Sequence, residues 1–285
     1  MPQKIILSAD STCDIGPELK ARYQVHFFNY HIQIGDESYV DGVEIAPEEL
    51  FAAWRTRGIL PKTAAITPGE YAEFFEKWVN DGYEVVHINL GSGISAAHQN
   101  CCIAAEELGH IYPVDSASLS SGSGHLVVRA AEMIAAGMPA KEIADELVRL
   151  REKVSASFIL DTLEFMRAGG RCSAVTAFGA NLLKLKPAIN VDRFDGGKMG
   201  VGKKYRGAMG KVLTEYVRDQ LAGRDDLMLD RIFITHTGSP DEDVELVRGE
   251  IKKYANFKEI IPTIASGTIS SHAGPRTLGV LFMVQ

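Results

Sequence analysis

Residues 83–108 constrain the fold more than any other stretch. Tyr83-Glu-Val-Val-His-Ile-Asn-Leu90 is an apolar run that reads as a buried strand, and the alanine-rich residues 96–108 read as a helix. Gly91-Ser92-Gly93-Ile94-Ser95 joins them. A strand that passes through a tight Gly/Ser turn into a helix is the building unit of a parallel sheet covered by helices. The turn also sets backbone N–H groups and hydroxyls at the positive end of a helix dipole, a place suited to a carboxylate or a phosphate.

The rest of the first half repeats this alternation. Residues 4–9 form a strand that ends in the polar turn Asp10-Ser11-Thr12, and residues 25–34 read as a second strand with its approach. A helix over 47–57 begins with Pro47 in its first turn. Thr67-Pro68-Gly69-Glu70 has capping-box spacing and opens a helix over 71–81. A short strand over 110–114 ends in Asp115-Ser116, and helices follow over 119–137 and 140–153. The three polar turns all fall at carboxyl ends of strands, where parallel sheets bind ligands.

The second half reads differently. Residues 154–160 are apolar, and a short helix over 161–168 is stopped by Gly169-Gly170. A helix over 177–185 ends before Pro187, and strands over 188–191 and 198–201 flank Asp195-Gly196-Gly197, a hairpin signal. A helix to Leu221, a strand over 230–236, a helix to Ala255 and a strand over 277–284 complete the chain. Ser239 and Glu242 repeat the capping-box spacing before the last helix. The expectation is α/β in two domains, a parallel-sheet unit over 1–153 and an α+β unit over 154–285, with a ligand cleft between them.

Composition excludes some functions. The net charge of −7 disfavours nucleic acid as a partner. No apolar run reaches the ~18 residues of a membrane span, and the N-terminus lacks signal-peptide form. Cys13, Cys101, Cys102 and Cys172 have no CxxC spacing, which predicts free thiols in a reducing cytoplasm and no metal site.

Four residues carry candidate chemistry, each with a bland reading beside the functional one. Thr63 and Ser95 are turn or cap residues, or hydroxyl donors to an anion. Arg171, after Gly169-Gly170, binds helix C-terminal carbonyls or offers its fork of donors to an oxyanion. His272, in Ser271-His272-Ala273-Gly274-Pro275, is a structural turn residue or a site residue.

Together with their order, these residues resemble the DegV family of bacterial fatty-acid-binding proteins. The resemblance rests on Asp10-Ser11-Thr12, Lys62-Thr63 with Thr67-Pro68, Gly93-Ile94-Ser95 and Val114-Asp115-Ser116. It continues through Asp161-Thr162-Leu163-Glu164, Gly169-Gly170-Arg171, Lys186-Pro187, Arg206 and His272-Ala273-Gly274-Pro275. The resemblance implies one fatty acid enclosed between an N-terminal Rossmann-like domain and a C-terminal α+β domain. Its carboxylate would be held by Thr63 and Ser95, with Arg171 and His272 near the head group and Arg206 used with a partner. That partner would be a separate fatty acid kinase, whose acyl phosphate feeds phospholipid synthesis. This chain would then be a cytoplasmic, non-catalytic carrier with no cofactor beyond the bound acid, and with transient membrane contact at most. Phe28, Ile94, Ile159, Leu160, Phe165, Phe178, Leu182 and Leu183 are candidates to line the tail tunnel. The chain departs from the family pattern at Ala64-Ala65, at Ala96-Ala97-His98 and at Arg276, where the family has a glycine.

The rival reading is a serine hydrolase. Gly93-Ile94-Ser95-Ala96-Ala97 fits a loose nucleophile elbow, with His272 downstream and Asp230 or Asp241 as orienters. A nucleotide-using enzyme is disfavoured, because no G-x-x-x-x-G-K-[ST] occurs and Ala96 stands at the third glycine position of G-x-G-x-x-G.

Overall fold

The computed structural model describes residues 4–177 and 185–285. From the N-terminus, the elements are β1 Ile5–Asp10, α1 Gly16–Arg22, β2 His26–Phe28, β3 His31–Ile34, β4 Glu37–Val40, α2 Pro47–Arg57 and β5 Lys62–Ala64. Next come α3 Pro68–Asn80, β6 Glu84–Asn89, α4 Ala97–Leu108, β7 Ile111–Asp115, α5 Ser120–Ala135 and α6 Ala140–Leu150. The remainder comprises β8 Val154–Ile159, α7 Glu164–Gly169, α8 Ser173–Ala177, β9 Lys186–Asp192, β10 Lys198–Tyr205 and α9 Met209–Leu221. It ends with β11 Leu227–His236, α10 Asp241–Tyr254, β12 Glu259–Ile264, α11 Gly267–Ala273 and β13 Leu278–Val284.

Three sheets result. A four-stranded parallel sheet has the order β2-β1-β6-β7, and a six-stranded mixed sheet has the order β10-β9-β8-β13-β11-β12. A small antiparallel sheet, β4-β3-β5, stands apart from both. Sequence periodicity did not suggest β4, β5, β12 or α11. The single strand expected over 25–34 is two strands, because β2 pairs with β1 and β3 with β4 and β5. β5 has only Lys-Thr-Ala to offer; its pairing with β3, not its own pattern, makes it a strand.

The capping box of α3 forms as its spacing predicts: Thr67 Oγ1 accepts from Glu70 N at 3.3 Å, and Glu70 Oε2 accepts from Thr67 N at 2.8 Å. The one at Ser239 does not form. α10 starts after Pro240, and the Ser239 amide instead donates to His236 Nδ1 at 3.1 Å.

α5 joins the two large sheets. Its first half is buried throughout, and small residues let it approach closely. A Cβ on Gly122 would fall 2.2 Å from Ser118 Oγ, and one on Gly124 2.6 Å from Ile15 Cγ2. One apolar cluster therefore runs from Leu7 and Val86 in the parallel sheet through Val127 of α5 to Phe233 and Leu281 in the mixed sheet. His125 sits inside that cluster, its Nε2 3.0 Å from the Leu281 carbonyl and its ring edge-on to Phe233.

Candidate ligand-binding site

A cavity of about 400 Å³ lies where the end of β6, the start of α5, β8, β10 and α11 converge. This is the size of a small-molecule site. Leu90, Ile94, Leu119, Phe158, Met166, Met199, Ile269 and Leu281 supply apolar wall, and Thr63, Ser95, Arg171 and His272 all reach the same space.

Thr63 is placed by pairing. It stands opposite Ile32 on β3, which turns its side chain toward α11. Thr63 Oγ1 lies 2.7 Å from Nε2 of His272, in the last turn of α11. The other ring nitrogen, Nδ1, is buried with no hydrogen-bond partner and packs on Gly169, where a Cβ would fall 2.2 Å from it. Burial, helped by the Arg171 charge, holds the His272 pKa down at about 4, so the ring is neutral near pH 7. A buried orphan N–H costs more than an orphan lone pair, which puts the proton on Nε2. The imidazole then donates to Thr63 Oγ1 and leaves the threonine proton for an anion.

Ser95 is held from a different direction. Its Oγ accepts from Ala97 N at 3.2 Å, taking one of the free donors at the start of α4. Behind it lies Asp10, fully buried. The Asp10 carboxylate accepts from Leu90 N at 2.7 Å, Tyr71 Oη at 2.6 Å, His87 Nε2 at 3.1 Å and Tyr30 Oη at 3.3 Å. Leu90 is the residue from which the Gly/Ser turn springs, and Tyr30 lines the cavity. Asp10 thus anchors the base of the loop that carries Ser95, a role that motif reading did not reveal. The signal was present in Asp10-Ser11-Thr12 at the end of a strand.

Arg171 sits at a helix end, the bland one of its two readings. Its Nη1 donates to the Gly169 carbonyl at the end of α7, at 2.6 Å, while the exposed side chain borders the cavity. Arg206 does not join them: it follows β10, is exposed, and lies outside the lining.

Other expectations need correction. The amides of the Gly/Ser turn do not await an anion. Gly91 N donates to Ser118 O, Gly93 N to Gly196 O, Ile94 N and Ser95 N to Gly91 O, and Ser92 N to Asp115 Oδ1. The β9–β10 hairpin turn, where Gly196 and Gly197 have positive φ, docks on the loop so closely that a Cβ on Gly91 would fall 2.5 Å from Gly196 O. Of the expected tail residues, Ile94 lines the cavity. Ile159 and Leu160 are fully buried in separate apolar clusters, Phe28 packs on Tyr71 and Phe74, and Phe165 packs on Phe51 and Trp54. Phe158, one residue before Ile159, faces the cavity, as the two-residue period of a strand requires. Phe178, Leu182 and Leu183 lie outside the described residues.

The hydrolase constellation is not assembled. His272 bonds Thr63 and not Ser95, its Nδ1 has no orienting carboxylate, and Asp230 pairs with Arg129 and Lys258. Arg276 occupies the left-handed region at φ 57° and is held by an ion pair from Nη2 to Asp243 Oδ2 at 3.1 Å. Its charge is thus used within the fold.

Fold and site together define a class: an α/β protein with a cavity lined by apolar side chains, several hydroxyls and the Arg171 side chain. The chain belongs to the DegV family, whose model, described as that of an uncharacterised protein family, matches residues 4–285. A DegV domain-containing protein of Clostridium perfringens is 28% identical over 284 residues, covering 98% of each chain. Among solved structures, a DegV family protein from Thermus thermophilus, described with its fatty acid binding, superposes with a TM-score of 0.87 at 27% identity, covering 99% of this chain and 100% of its own. DegV of Bacillus subtilis, described as a fatty acid binding protein, superposes with a TM-score of 0.80 at 26% identity, over 99% of this chain and 100% of that one. Among the described residues, no helix is long and apolar enough to cross a membrane.

Proposed function

We propose that this protein binds one long-chain fatty acid, its carboxylate on Thr63 and Ser95 with Arg171 and His272 beside it, and its tail along Leu119, Phe158, Met199 and Leu281. The observation that carries this is the cavity itself: a lining of apolar side chains that also holds Thr63, Ser95, the neutral His272 imidazole and Arg171. A buried carboxylate is costly unless hydrogen-bonded or charge-compensated, and this set offers both. Roughly fifteen methylenes at ~0.8 kcal/mol each give a gross transfer term of about 12 kcal/mol before the costs of binding. The tail therefore supplies affinity, and the polar residues fix which end faces out.

In this reading the units over 1–153 and 154–285 close on the acid, and the chain is a cytoplasmic carrier with no catalysis of its own. A separate fatty acid kinase would phosphorylate the carboxylate held there, meeting the carrier at Arg206. Arg171 would steady the charge that develops there. The acyl phosphate would go on to phospholipid synthesis. Native mass spectrometry of the purified protein, followed by extraction and lipid analysis, tests the binding. About one fatty acid per chain, lost in a Thr63→Ala/Ser95→Ala double variant, is the expected result. A protein that is empty and takes up no fatty acid on incubation refutes it.

A further inference from the structure

Asp41 follows β4 and is 1% exposed. Its two carboxylate oxygens accept from the backbone N–H groups of Gly267 and Thr268, each at 2.8 Å. These donors belong to the first turn of α11 and have no partner within the helix. The fit leaves no slack: a Cβ on Gly267 would fall 2.7 Å from Asp41 Oδ1 and 2.7 Å from Ile32 Cδ1. Ile32 is the residue paired with Thr63. The small antiparallel sheet therefore touches α11 at both ends, through Asp41 and Ile32 at its first turn and through Thr63 at His272 in its last.

The cap exceeds what helix stability requires. Ser266 already stands at the N-cap, and its amide is taken by Asp14 at 2.8 Å. A second buried carboxylate adds desolvation cost, which is why burial raises the Asp41 pKa while the two N–H bonds oppose the rise. What a two-point cap adds is a fixed position. A short helix moves as a rigid piece, so pinning its first turn sets where His272 meets Thr63.

We propose that Asp41 is a positioning residue of the head-group site: by gripping α11 it sets His272 against Thr63, and so aims the Thr63 hydroxyl at the ligand's carboxylate. The proposal rests on the fatty-acid reading above.

The test is a competition titration of the full chain with palmitate and with hexadecanol, which has the same tail and no carboxylate. Asp41→Asn should weaken palmitate about tenfold, the scale of a lost hydrogen bond to a charged group, and hexadecanol less than twofold. In a His272→Ala background the Asp41→Asn loss should vanish, as coupled residues require. By NMR the His272 pKa should rise from about 4 toward the ordinary imidazole value once α11 is released. Gly267→Ala, which pushes α11 off Asp41, should reproduce all three results, and it decides the matter if Asp41→Asn does not fold. Equal losses for both ligands, or a full loss that persists without His272, would overturn the proposal. A wild-type protein that binds neither ligand overturns the fatty-acid reading itself, and the proposal with it.

Discussion

Thr63 and Ser95 face one cavity, yet the chain holds them by opposite means. The Ser95 arm is built on one segment: a strand, a seven-residue connection and a helix over residues 84–108, anchored by Asp10 at the end of the neighbouring strand and by Gly196 of the β9–β10 turn. The Thr63 arm is assembled from remote pieces. Its hydroxyl meets His272 across 209 positions, and Asp41 reaches α11 across 226. A local arm forms with its sheet. A remote arm exists only when both ends of the chain are in place, so its geometry is the more sensitive to change.

The largest expected effect falls on the local arm. Asp10→Asn puts an amide among four donors and leaves at least one buried and unpaired, at a cost of about 3 kcal/mol. Chemical denaturation should show this loss together with weakened fatty-acid binding. A stable Asp10→Asn protein with full affinity would break the contrast, because the local arm would then need no anchor.

Acid should act on the remote arm. His272 has a folded pKa of about 4 against an unfolded value near 6.5, so below pH 6.5 the unfolded chain takes up a proton that the folded one refuses. The stability that neutral His272 confers is complete above pH 6.5 and is lost progressively as pH falls toward 4, by roughly 3 kcal/mol. His125 in the core has the same depressed value, about 4, from burial. Asp14 acts in the opposite sense: burial raises it to about 7, so its contribution is present below pH 4 and lost as pH rises through 7. Denaturation midpoints between pH 7 and 4 separate these groups. His272→Gln and His125→Gln should each flatten the acid loss, and only His272→Gln should also alter palmitate affinity. An unchanged pH dependence in His272→Gln would sink this account of the ring.

The smallest effect is expected at Arg276. Arg276→Gly relieves a left-handed residue worth about 1 kcal/mol and gives up an ion pair of similar size. Thermal melting should shift little, and palmitate affinity should not change. A large loss of binding would show that this departure from the family pattern serves the site after all.

The same contrast explains what the sequence made legible. Alternating strands and helices gave away the parallel sheet, and Thr67 with Glu70 announced α3, because those signals lie within a few residues of their effect. Ser95 stood out for the same reason. Thr63 was legible as a turn residue or a hydroxyl donor but not as part of a strand, since β5 is a strand only by virtue of β3. Ile159 was one residue from the wall residue: β8 alternates Val154, Ala156 and Phe158 with Ser155, Ser157 and Ile159, and reading the run as apolar throughout hid which face meets the cavity. The turn amides appeared free, but Gly91, Asp115, Ser118 and, more than a hundred residues later in the chain, Gly196 accept from them. Asp41 carried no local sign at all.

A crystal structure of the protein with palmitate would locate the head group. Its carboxylate oxygens should lie within about 3 Å of both Thr63 Oγ1 and Ser95 Oγ, with the tail running past Phe158 and Leu281. A carboxylate bound elsewhere in the cavity, or a chain lying the other way round, would contradict that placement.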